Sequence, residues 1–200
     1  MSGSLGRSVV LSVGLVLAMD GPAKWTVAAK GPSAQQQVNP EAKTVSEFME
    51  RVKEYVSLHK KLEDAAPKLP KEATPEQIDR AQRSLAALIQ SARAGAKRGD
   101  VFTPDMTAFV KRVLNEVFAG PRGKELRSSI MDENTTAIPL KVNQLYPDKV
   151  PLTTMPPQVL GALPKLPEEL EFRFIADQMI LLDPHAHIIV DFIPAALPGR

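Results

Sequence analysis

LEFRFIADQMILLDPHAHIIVDFI, running from Leu170 to Ile193, is the stretch that decides the fold. It holds three runs rich in β-branched and aromatic residues: LEFRFIA (170–176), MILLD (179–183) and HIIVDFI (187–193). The links are short, Asp177-Gln178 and then Pro184-His185-Ala186. Links of this length join only antiparallel neighbours, so the segment predicts a three-stranded antiparallel meander. Alternation puts Phe172 and Phe174 on one face of the first strand. In the third strand it puts Ile188, Val190 and Phe192 on one face and His187, Ile189 and Asp191 on the other. Asp183-Pro184-His185-Ala186 reads as a β-turn, because Asp favours the first position and Pro brings a fixed φ to the second. A sheet this small is not stable alone and must pack on something else.

The partner lies upstream, in three helix signatures that each open on threonine. The first begins TVSE, with Thr44 and Glu47 at capping-box spacing. Its apolar stripe is Val45, Phe48, Met49, Val52, Tyr55, Val56, His59 and Leu62. The second has Thr74 as N-cap, Pro75 at the first helical position and Gln77 at the third; its stripe is Ile78, Ala81, Leu85, Leu88, Ile89 and Ala92. The third has Thr103 and Pro104 in the same roles, a face of Met106, Phe109, Val110, Val113, Leu114, Val117 and Phe118, and a stop at Gly120-Pro121. A fourth helix is predicted from Pro121 through Met131, with Leu126 and Ile130 inward. The stripes do not align residue for residue, so the regular spacing of the threonines is helix–loop–helix spacing and not a repeat.

Between Pro139 and Pro167 stand seven prolines. IPLKV (138–142) predicts one short strand there, and MPPQVLGALP a short helix started by Pro157, with Val159, Leu160 and Leu163 apolar. The expected fold is therefore α+β: a three- or four-helix bundle (44–133), a Pro-rich connector with a short strand and a short helix (134–169), and a meander (170–194) docked on the bundle. Residues 44–194 form one compact domain in this reading. Aromatics make up only 5% of the chain, so the core has to be mainly aliphatic.

The N-terminus reads differently. Arg7 precedes SVVLSVGLVLAM (8–19), whose twelve residues span about 18 Å as a helix, short of the roughly 30 Å of a bilayer core. Val27 and Ala29 then offer the small residues of a signal-peptidase site. Residues 1–29 are expected to be a cleaved signal peptide, the alternative being a retained anchor, and 30–43 a disordered leader. The mature protein is expected to be periplasmic or secreted, with no transmembrane span after cleavage.

Chemistry is restricted by what is missing. No cysteine means no disulfide, no thiolate ligand and no thiol catalysis. No GxSxG, SxxK, Walker A or HExxH stands in the chain, so an enzyme is not expected. His185 and His187, with Asp183 before them, are workable ligands for a divalent transition metal; solvated turn histidines are the plain alternative. His59 belongs to a helix stripe and reads as a core residue. A net charge of +2 is small for a polyanion binder. The segment 93–127 is locally basic, and Arg93, Lys97, Arg98, Arg122 and Lys124 are candidate contacts for an anionic ligand. They fall at opposite ends of the third predicted helix, which argues against one compact patch. Without interleaved aromatics, nucleic acid is not an expected partner; an envelope protein or an anionic envelope component is.

The run TVSEFMERVKEYVSLHKKLE, then TPEQIDRAQRSLAALIQSARAGAKRGDVFTP, IMDEN and the segment from TMPPQVLGALPKLPEELEFRF to IVDFIP together resemble a family of small exported proteins of environmental bacteria. The resemblance covers roughly Thr44 to Pro194. It implies export and a shared fold, and it brings no activity and no catalytic residues. The terminal hairpin alone, about 25 residues, resembles a module of periplasmic proteins related to the nickel and cobalt homeostasis protein RcnB. The expected function is that of an exported non-catalytic envelope protein that binds a partner protein or envelope component. The alternative is a periplasmic metal-handling or metal-sensing accessory protein that uses the Asp183/His185/His187 turn.

Overall fold

The computed structural model describes residues 39–133 and 138–199; the predicted signal peptide and most of the predicted leader lie outside them. Among the described residues, five helices precede a three-stranded antiparallel sheet, an α+β arrangement. The helices are α1 (Pro40–Ala65), α2 (Pro75–Ala92), α3 (Pro104–Ala119), α4 (Gly123–Glu133) and α5 (Pro157–Ala162). The strands are β1 (Glu171–Ile175), β2 (Gln178–Asp183) and β3 (Ile188–Ile193), in the order β1-β2-β3. None of the described helices is long and apolar enough to cross a membrane.

Helix starts follow cap chemistry. Thr74 accepts from the Gln77 backbone while the Gln77 side chain accepts from the Thr74 backbone, a complete capping box. Thr103 caps α3 in the same sense, through the Met106 N–H. The expected start of α1 at Thr44 is wrong by more than one turn. Asn39 is the cap, its side chain accepting from the Glu41 N–H, and Pro40 is the first helical residue. Thr44 sits inside the helix and donates its hydroxyl to the Pro40 carbonyl. Residues 39–43, expected in the leader, are instead the cap and first turn of α1.

Phe48, Val52, Tyr55 and His59 form the buried face of α1, Leu85, Ala86 and Ile89 that of α2, and Met106, Val110, Val113 and Leu114 that of α3. They meet one face of the sheet. Phe172, Phe174, Met179, Leu181, Ile188, Val190 and Ile193 join the same cluster, with the rings of Phe48, Phe102 and Phe172 stacked at 5.7–6.3 Å. The other sheet face holds Ile175, Ile180, Leu182, Ile189 and Phe192, covered by Ile138, Leu140, Val142, Tyr146 and Val150 of the connector. The sheet is thus a middle layer, which explains why β3 is buried at all six positions.

Two sequence expectations fail here. Residues 138–142 form no strand, and the one β-bridge of the described connector residues to the sheet is Leu145 to Ile188. Backbone bonds from Asn143 N to Ile189 O, Ile189 N to Gln144 O and Tyr146 N to His187 O close the outer edge of β3. The expected grouping of Ile188, Val190 and Phe192 also breaks. Leu181 pairs with Asp191 but Leu182 with Ile189, so Val190 is an extra residue in the ladder. Such a bulge reverses the alternation beyond it. Ile188 and Val190 face the helices, Phe192 faces the connector, and Asp191 comes to lie opposite the helix-facing Leu181. In α5, Val159 is buried and Leu160 exposed.

Candidate functional site

Residues 55, 59 and 63 succeed one another at four-residue intervals, so α1 presents Tyr55, His59 and Glu63 along one face. Opposite them, β2 ends at Asp183 and the turn carries His185. Asp183 is wholly buried, and the Ala186 N–H donates to its Oδ1 at 2.8 Å, holding the turn to its first residue. Its Oδ2 accepts the Tyr55 hydroxyl at 2.7 Å and lies 2.6 Å from His59 Nδ1. A carboxylate at that distance takes a ring N–H, which makes Nδ1 the donor and leaves Nε2 as the lone-pair nitrogen in the neutral ring.

His59 Nε2 is the atom this geometry does not satisfy. It is buried and has no hydrogen-bond partner. It points to Glu63, whose Oε2 is 3.5 Å away, while the other Glu63 oxygen stands 3.3 Å from His185 Nδ1. The His59 and His185 rings meet edge to face at 5.3 Å. His59, Glu63 and His185 each offer one donor atom within 4.8 Å of the others, the set among the described residues that could hold a metal ion. Beside it the Lys60 ammonium pairs with Glu169 at 2.8 Å, and the second Glu169 oxygen is buried and unpartnered.

The electrostatics follow from the neighbours. Burial works against a charged His59, but the hydrogen bond and charge of Asp183, then the charges of Glu63 and Glu169, outweigh it and hold the imidazole above its ordinary value. Burial first, then Asp183, push the Tyr55 hydroxyl far above its usual range, although Arg93 lies over the ring at 5.1 Å. Tyr55 is therefore a fixed donor to Asp183. Lys60 holds Glu169 below the usual carboxylate range.

Of the three residues expected as metal ligands, only His185 joins the donor set. Asp183 spends both oxygens on Tyr55, His59 and the turn backbone, and so orients His59 without joining the set. His187 has a positive φ of 53° and stacks on Tyr146 at 5.4 Å, a residue of the connector-side cluster. His59 and Glu63 were not expected as ligands. Their signal was the spacing His59-x-x-x-Glu63 in α1, hidden because His59 also fits an apolar stripe.

The five candidate anion contacts are not gathered. Arg93 is a structural cation, donating to Asn143 Oδ1 at 2.6 Å and to the Val190 carbonyl at 3.3 Å. Lys97 and Arg98 lie in the loop after α2, with Arg98 over the Phe192 ring. Arg122 pairs with Glu125 at 3.5 Å beyond the far end of α3, next to the exposed Lys124. The sixteen residues of α3, about 24 Å of helix, separate the two groups.

Comparison with protein families, with curated proteins and with solved structures returns no match to this chain.

Proposed function

We propose that the protein is an exported, non-catalytic metal-handling protein that binds a divalent transition-metal ion through His59, Glu63 and His185. The buried, unpartnered Nε2 of His59 carries this reading. A buried polar atom without a partner is costly, on the order of 1–3 kcal/mol, and an ion at that position removes the cost. Two imidazoles and one carboxylate suit zinc, nickel, cobalt or copper better than calcium or magnesium. Spacing supports the set. Donors placed tetrahedrally about 2.1 Å from an ion stand roughly 3.4 Å apart, and the three donor atoms, one from each side chain, all lie within 4.8 Å of one another. The Asp183–His59 hydrogen bond is the partnership that fixes a ligating imidazole in one tautomer and orientation.

Thermal unfolding with zinc, nickel, cobalt or copper ions, against EDTA, tests the reading. An ion at about 100 times its dissociation constant adds about 2.7 kcal/mol, which raises the midpoint by about 5–10 °C for a chain of this size. The double variant Glu63→Gln/His185→Ala is expected to lose the rise, and His187→Ala to keep it. No rise with any of the four ions, or a rise that survives the double variant, sinks the proposal.

A further inference from the structure

We infer that the ion held by His59, Glu63 and His185 keeps one coordination position open to solvent and takes a small monoanionic ligand there. This rests on the metal-binding reading above and adds what the site does with its ion.

The donor set ends at three among the described residues, where a closed structural site has four protein donors. Both Asp183 oxygens are hydrogen-bonded, and Glu169, with one oxygen on Lys60 and the other buried and unpartnered, lies outside the set. The set is also lopsided. His59 is wholly buried, whereas the side chains of Glu63 and His185 are each 44% exposed. His59 therefore closes the inner side of the set, and the half-exposed Glu63 and His185 leave its outer side to solvent. Charge selects what binds there. Two neutral imidazoles and one carboxylate leave a divalent ion with one uncompensated positive charge, and a single negative charge neutralises it. A small carboxylate or hydroxide fits that description, and azide is a spectroscopically convenient representative.

The test is the visible absorption of the cobalt(II)-loaded full chain, titrated with sodium azide. The expected result is a set of cobalt bands that shift and saturate as azide is added, in the wild type and in His187→Ala, and that are absent from Glu63→Gln/His185→Ala. Cobalt bands that azide leaves unchanged mean a closed site; they overturn this inference while the metal reading stands. Absence of cobalt bands in the wild type overturns both. An azide response that persists in the double variant places the ion elsewhere and overturns both as well.

Discussion

Two buried aspartates, eight residues apart, divide the work of joining sheet to helices. Asp183 serves side chains of α1; Asp191 serves backbone. The N–H groups of Gly99, Val101 and Phe102 all donate to the Asp191 carboxylate, at 2.8–3.2 Å, and so pin the loop between α2 and α3 to β3. Asp191→Ala strands donors that water reaches poorly, at about 1–3 kcal/mol each. We expect a loss of about 3–5 kcal/mol in urea unfolding, and a loss under about 1 kcal/mol would mean that the loop is held by other contacts. His59 gives a pH dependence of known sign. Its value in the folded protein lies above the ordinary 6.5, so its contribution to stability is complete below about pH 6.5 and fades as pH rises through the folded value. In EDTA, the wild-type midpoint is expected to fall across that interval relative to His59→Gln; parallel curves for the two proteins would contradict it. Neither aspartate's partners were legible in the sequence. Asp183 and His185 were correctly placed in one turn, but the residues they meet lie some 120 positions away, and nothing in a single sequence registers α1 against the hairpin.

Elements were more legible, because their signals are local. Thr74-Pro75 and Thr103-Pro104 announced α2 and α3 to the residue, and the three strands emerged within one or two residues of their expected ends. The misses have physical causes. Asn39-Pro40 carries the same cap-and-proline signal as the two threonine pairs, yet Thr44 and Glu47 mimic a capping box one turn later. The bulge at Val190 has no glycine to mark it, so parity beyond it could not be read. The junction of α3 and α4 makes a sharp prediction. A Cβ on Gly123 would stand 1.8 Å from the Phe118 carbonyl oxygen and 2.4 Å from its carbon, both backbone atoms that cannot swing away. Gly123→Ala is expected to cost about 3 kcal/mol or more by forcing α4 off α3. Gly95, after α2, has nothing within 4 Å of an added Cβ. Gly95→Ala is expected to be neutral or to stabilise by up to about 1 kcal/mol, by restricting the unfolded chain. Urea midpoints of the two variants decide it, and equal effects would refute the packing argument at Gly123.

At the scale of the molecule, the donor set spans the boundary between two layers. Two donors sit on one helix of the upstream layer and the third on the turn between the last two strands. The described contacts across this boundary are mostly apolar and non-directional; the polar ones concentrate at Asp183 and Asp191. An ion at His59, Glu63 and His185 would therefore add a directional link where the layers meet, next to Asp183. Binding free energy realised only in the docked arrangement resists any opening that separates α1 from the hairpin. Hydrogen exchange with and without zinc locates the effect. Protection is expected to rise in the α1 turns around Tyr55–Glu63 and in the 183–188 turn, and to change little in α4 and α5, which contribute no donor. The Glu63→Gln/His185→Ala variant is expected to show the metal-free pattern under both conditions. Uniform protection across the chain would instead mean that zinc acts on global stability alone, and protection centred on Tyr146 and His187 would move the ion to the other side of the sheet.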